Sequence, residues 1–158
     1  MALYVLVGLP FSGKTAFYEN ELKPKLSEDH IRVNPGEIKQ ILRASGLSED
    51  EVNKYCFKLM MDRVRKGIKE GRDVVFDATN LTKVVRKKLI KEAKKCKTEV
   101  VAYVINPPLK VCLERNKKAG NIIPEERFRR LYKQFELPTQ KEGFDKVIMV
   151  NWRKIKWE

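Results

Sequence analysis

The chain has 158 residues, 42% of them hydrophobic, and carries 34 lysines and arginines against 21 acidic side chains, a net charge of +13. A single histidine, His30, and three scattered cysteines without a CxxC pair argue against a histidine-built metal centre, a histidine triad and a disulfide framework. No apolar run nears the roughly 20 residues that cross a bilayer, and Met1–Leu9 lacks the basic leader of a signal peptide, so a soluble intracellular protein is expected.

Taken in chain order, residues 2–7 read as a buried strand and Lys14 to about Leu26 as a helix. His30–Val33 is a short second strand, closed by Asn34-Pro35-Gly36, with Glu37 opening the next helix. Ser48 and Glu51 form a capping box for a helix that runs to about Glu70 and stops at Gly71. Val74–Phe76 is a third strand ending on Asp77. A helix from Thr79 or Asn80 to Lys97 then sets Leu81, Val85, Leu89, Ala93 and Cys96 along one face. Val100–Ile105 is a fourth strand, and Leu109–Lys118 and Pro124–Glu136 are helices on either side of Ala119-Gly120-Asn121. Val147–Val150 is the last strand, and the tail NWRKIKWE is either an added edge strand or a partly ordered end. Strands alternating with helices give one α/β domain, residues 1–158, with a mostly parallel five-stranded sheet flanked by helices.

Gly8-Leu9-Pro10-Phe11-Ser12-Gly13-Lys14-Thr15 fits G-x-x-x-x-G-K-[ST] and stands where that motif works, after a strand and before a helix. In such a loop the backbone at Gly8, Pro10, Ser12 and Gly13 approaches phosphate oxygens closely, Lys14 reaches the β- and γ-phosphates, and the Thr15 hydroxyl binds Mg²⁺. No [NT]KxD element is present to read guanine, since Asn116-Lys117-Lys118-Ala119 lacks the aspartate. By analogy of fold, a small chain with this turn at its start is a kinase.

Asp77 falls at the carboxyl end of a central strand, where open α/β sheets place their ligands. There it either holds Mg²⁺ or orients an acceptor hydroxyl, with Thr79 and Asn80 positioning the acceptor; the alternative is that Asp77 and Thr79 only cap the next helix. The two basic helices of residues 112–130 suit a lid over transferring phosphate, with Arg115 and Lys118 on one face. Residues 83–97 carry Lys83, Arg86, Lys87, Lys88, Lys91, Lys94, Lys95 and Lys97 against Glu92 alone. That stripe suits a nucleic-acid backbone or a solvated helix face. The positive excess of the whole chain favours nucleic acid, because a merely solvated surface carries balanced signs.

With these pieces in place, the chain resembles the kinase domain of the polynucleotide kinases, with seryl-tRNA kinases sharing its first motifs. VGLPFSGKT looks like that family's phosphate loop, VVFDATN like its strand and D-x-T-N, and ERNKKAGNIIPEERF like its lid. KQFELPTQKEGFDKVIMV resembles the family's closing run. The resemblance implies ATP and Mg²⁺ as cofactors and a 5′-hydroxyl end of DNA or RNA as acceptor. It also implies Lys14 and Arg115 as catalytic, Lys118 beside Arg115 on ATP, and Lys39 on the acceptor. Where the family has a general-base aspartate this chain has Gly36, so the base falls to Glu37 or Asp77, or is missing. Other readings are a kinase for another acceptor, such as an aminoacyl-tRNA or a small metabolite, and a weakly catalytic ATP- and nucleic-acid-binding module.

Overall fold

A strand reading ALYVLV without a polar break can satisfy both of its sides only between two apolar layers. The computed structural model, which describes residues 1–157, places it there. Five parallel strands, β1 (Ala2–Val7), β2 (Ile31–Val33), β3 (Val74–Asp77), β4 (Glu99–Val104) and β5 (Lys146–Met149), lie in the order β2-β3-β1-β4-β5. Alternate residues of β1 serve opposite layers. Leu3, Val5 and Val7 pack with α2 (Pro35–Ala44), α3 (Glu49–Lys69) and α4 (Lys83–Lys95), through side chains such as Ile38, Val52, Val64 and Leu89. Leu6 faces Phe17, Tyr18, Leu22, Ile105 and Ile155 on the other side.

Local chemistry sets the boundaries. Ser48 and Glu51 make the expected capping box at the start of α3. Asn34 accepts from the Glu37 N–H and caps α2, so Pro35, whose missing N–H is harmless there, is the first helical residue and Glu37 lies inside the first turn. Gly67 lets α3 lie directly on the sheet, because a Cβ there would stand 2.5 Å from Val74. The single helix expected over residues 14–26 is instead a short α1 (Lys14–Phe17) followed by a π turn (Tyr18–Leu22) and a 3₁₀ turn (Lys23–Lys25). Pro24 has no N–H to continue an α ladder. The helix expected from Thr79 or Asn80 begins later, at Lys83, with Thr82 as its cap; neither Asp77 nor Thr79 caps it.

Beyond β4, α5 (Leu109–Lys118) and α6 (Glu125–Gln134) form a helical hairpin over the carboxyl edge of the sheet. Its hinge is held by Asn116, which donates to the Ile123 carbonyl at 2.7 Å and accepts from the Ile123 N–H at 3.1 Å. Phe128 and Cys112 close it over Leu9 and Leu81. Residues 151–157 of the tail are neither an edge strand nor a loose end: they turn through Trp152–Lys154 and bury Ile155 in the layer of Phe17 and Leu22. Glu158 lies outside the described residues. All three cysteines are free, with Cys56 and Cys112 buried and Cys96 exposed. No helix among the described residues is long and apolar enough to cross a membrane.

One member of the basic stripe is not on the surface. Arg86 is fully buried; its Nε and Nη2 donate to Glu142 at 2.8 and 3.1 Å, and its Nη1 donates to the Asn80 carbonyl at 2.9 Å. Glu142 also accepts from the Thr139 N–H, closing a capping box on the 3₁₀ turn Gln140–Glu142. Removing one partner of a desolvated pair costs about 3–5 kcal/mol. Glu142→Ala is therefore expected to lose that much stability in urea unfolding; a loss below ~1 kcal/mol would show that water reaches the guanidinium.

Candidate active site

The loop from Gly8 to Thr15 lies at the carboxyl end of β1, and its shape depends on two glycines. A Cβ on Gly8 would meet the Ile105 carbonyl at 2.5 Å and the Ser12 hydroxyl at 2.6 Å, while Gly13 adopts φ +108. Phe11 also takes a positive φ, +62, which turns the chain back on itself. The Gly8 N–H donates to the Thr79 carbonyl at 3.1 Å, tying the loop to the segment after β3.

Within this cradle the Lys14 ammonium folds back and donates to the Gly8 and Leu9 carbonyls, each at 2.8 Å. Burial lowers its pKa to about 8, against the pull of the nearby Asp77 charge. The Ser12 hydroxyl is buried without a partner. A crowded floor, an orphaned donor and an under-solvated cation together suit an anion with several acceptor oxygens, which is the chemistry of a polyphosphate. Thr15 is exposed at the rim.

Asp77 is buried on the adjoining strand, and its Oδ2 accepts both Nε and Nη2 of Arg32, the former at 3.0 Å. Both bonds fall on one oxygen, which leaves Oδ1 for a metal-bound water or an acceptor hydroxyl. Arg32 is itself positioned, lying 4.7 Å over the Tyr18 ring. The His30 Nδ1 faces the Ser27 carbonyl at 2.7 Å and must donate to it, so Nε2 accepts from the Tyr18 hydroxyl at 2.6 Å. Sequence reading missed Arg32, although a charged residue inside a three-residue strand at the ligand edge was a visible signal.

The other expected residues divide clearly. Arg115 reaches the loop from α5, with Nη1 donating to the Phe11 carbonyl at 2.9 Å and the Ser12 carbonyl at 3.2 Å. Lys118 is exposed on the last turn of α5. Asn80 is buried, and its amide nitrogen is spent on the Leu6, Phe76 and Ala78 carbonyls. It holds the loop and has no N–H left for an acceptor. Thr79 remains at the edge and offers its carbonyl to Gly8. Gly36 and Glu37 are on the first turn of α2, with Glu37 exposed, and Lys39 lies one turn further on. Among the described residues no group of three His, Cys, Asp or Glu side chains converges as a metal cage. A magnesium ion here would rest on Thr15, Asp77 and the phosphates themselves.

A family model described as "Chromatin associated protein KTI12" matches residues 1–154. The chain is 29% identical over 150 residues to L-seryl-tRNA(Sec) kinase of Methanococcus maripaludis, covering 90% of this chain and 56% of that protein. It therefore spans about half the length of this curated relative. Kti12 of Chaetomium thermophilum in complex with ADP-AlF3 superposes with a TM-score of 0.66 at 18% identity, over 95% of this chain and 89% of that one. A chain of the Pnkp1/Rnl/Hen1 RNA repair complex gives 0.69 at 23% identity, over 91% of this chain and 46% of that one. The likeness to polynucleotide kinases is thus one of fold, whereas the family match runs to KTI12.

The buried ammonium has a measurable cost. The folded protein holds the Lys14 proton less tightly than the unfolded chain, whose lysines titrate near 10.5. The penalty is full below pH 8 and fades as pH rises toward 10.5. Lys14→Met is expected to stabilise the ligand-free protein near pH 7 by about 1–2 kcal/mol, less near pH 10, and to abolish nucleotide binding. Urea midpoints at the two pH values check the sign; an equal gain at both would refute the burial cost.

Proposed function

The chain belongs to the KTI12 family, and on that premise we propose that it binds ATP with Mg²⁺ in the glycine-rich cradle and transfers the γ-phosphoryl group to a hydroxyl carried on RNA. One juxtaposition carries the reading: a lysine drawn onto the carbonyls of its own phosphate loop, with a pinned carboxylate beside it on the next strand. Lys14 would release those carbonyls to neutralise the β- and γ-oxygens, and Thr15 with Asp77 Oδ1 would hold the ion. When bound there, Mg²⁺ would supply charge neutralisation to the transferring phosphoryl group. Arg115 stands at the rim, held on the Phe11 and Ser12 carbonyls, where its guanidinium can meet the bound nucleotide. The Kti12 structure with ADP-AlF3 supports the nucleotide assignment.

For the acceptor, two residues of the run Lys133–Val150 that pointed to 5′-hydroxyl ends serve architecture. Glu142 clamps Arg86, and a Cβ on Gly143 would stand 2.9 Å from Ile90. Glu142 and Gly143 are thus accounted for by packing, and a 5′-hydroxyl end is one RNA hydroxyl among several. The relative named for L-seryl-tRNA(Sec) favours a hydroxyl attached to tRNA. The lysines of α4 support an RNA partner: Lys87, Lys88, Lys91 and Lys94 follow one another along a helix that begins beside the Asp77 loop. Glu92 on that helix is already engaged by Arg65 and Lys95.

Gly36 favours a second reading, in which the protein binds ATP and RNA but transfers slowly. Phosphoryl transfer depends more on positioning and charge than on a base, so Asp77 alone can orient the acceptor at a reduced rate. Incubation with γ-labelled ATP and Mg²⁺ is expected to label seryl-tRNA above 5′-hydroxyl RNA and above release of free phosphate. Gly36→Asp, whose Cβ needs only a small shift of the Asn34 Oδ1 now 3.1 Å away, is expected to raise the rate about tenfold or more. No label on any RNA, before or after that change, would refute the transferase reading. Replacing Lys87 and Lys91 by Gln should lower the log–log salt slope of RNA binding by about 0.7 for each phosphate these lysines neutralise.

A further inference from the structure

The C-terminal segment meets the phosphate cradle at its far side. A Cβ on Gly13 would touch Ile155 at 3.8 Å and the Arg115 Nη1 at 3.9 Å, so the loop runs between these two side chains. Two residues beyond Ile155, the Trp157 ring lies 4.3 Å from the Arg115 guanidinium carbon, and its edge meets Phe11 at a centroid distance of 6.3 Å. Ile155 is buried at 8% exposure while Trp157 keeps 39%, so the segment is anchored at one residue and surface-held at the next ring. Both lie beyond the residues matched by the family model.

Within the proposed ATP-binding reading, on which this inference rests, the cradle has a direction. Asp77 and Thr79 flank it on the β3 side, where metal and acceptor must meet the γ-phosphate. A nucleoside triphosphate is a linear chain with its base at the end opposite the γ-phosphate. A base at that end would lie beyond Gly13, on the side where Arg115 is the flat cation at the rim. A heteroaromatic base and a guanidinium stack well. That face already carries an indole, and 4.3 Å is a single stacking layer; a base slipped between them would need about twice that spacing.

We propose that Trp157 is an internal surrogate for the nucleobase: its indole covers the Arg115 face that a base would use, and a purine nucleotide must displace it to bind. Ile155 keeps the segment tethered throughout, so the ring stays close by and re-covers Arg115 when the nucleotide leaves. The apparent affinity for ATP or ADP is then the intrinsic affinity multiplied by the fraction of molecules in which the indole is off. A ligand with phosphates and no base fills the cradle without that reduction. An exposed aromatic–cation contact is weak, which sets the effect at about two- to fivefold in dissociation constant.

The test compares ADP-Mg²⁺ with inorganic triphosphate on the full chain and on Trp157→Ala by titration calorimetry. ADP is expected to bind the variant about two- to fivefold more tightly, with triphosphate affinity unchanged. In Trp152→Phe, where Trp157 is the remaining tryptophan, ADP should shift emission to the red and increase iodide quenching, and triphosphate should do neither. Weaker ADP binding by Trp157→Ala would mean that the indole clasps the base, and unchanged binding that it takes no part; either overturns the proposal. Failure of both ligands to bind the parent protein would instead sink the nucleotide reading on which it stands.

Discussion

Arg86 is the cation around which the ligand edge is assembled. A guanidinium without solvent is stable only when its donors are filled, and here each side of the fork closes a different part of the chain. Glu142 brings the segment before β5 onto α4, and the Asn80 carbonyl fixes the segment after β3. The Asn80 amide, in turn, donates to the Leu6 carbonyl at 2.6 Å near the end of β1, and the Gly8 N–H reaches back to Thr79. Four separate stretches of sequence are thus braced against one buried charge, and the phosphate loop is their common neighbour. The D-x-T-N element has a divided labour: its aspartate faces the ligand edge and its asparagine holds the backbone.

The same edge stores unfavourable contacts. Lys14 is charged in a place that lowers its pKa, Phe11 has a backbone conformation uncommon for a side-chain-bearing residue, and the Ser12 hydroxyl lacks a partner. Each would be relieved or used by a polyanion, and none helps the ligand-free fold. Arg32 and Asp77 present the opposite case, an ion pair satisfied within the protein itself and stiffened by the Tyr18 ring and its hydroxyl bond to His30. The cradle must rearrange when filled, while the carboxylate beside it is already set.

Much of this was legible in the residues because it is local. The uninterrupted apolar run of β1, the Ser48–Glu51 box and the glycine spacing of residues 8–15 each report a conformation fixed by neighbours in sequence. What escaped was pairing across distance. Arg86 sits in a run of lysines and looks like one more exposed charge; only a partner 56 residues away shows that it is core. Arg32 meets Asp77 across 45 residues, and Trp157 meets Arg115 only because the tail turns back beneath Ile155. The family-like closing run was readable as a pattern, but that its Glu142 pairs with a buried arginine was not.

The uneven exposure of the three thiols has a practical use. Cys96 is open to solvent at the end of α4, between Lys95 and Lys97, while Cys56 and Cys112 are shut inside. A maleimide dye would therefore settle at one spot without engineering, on the lysine-rich helix and at its opposite end from the Asp77 loop. The native chain comes with its own reporter position, from which polyanion arrival can be followed by fluorescence while the cradle is left chemically untouched.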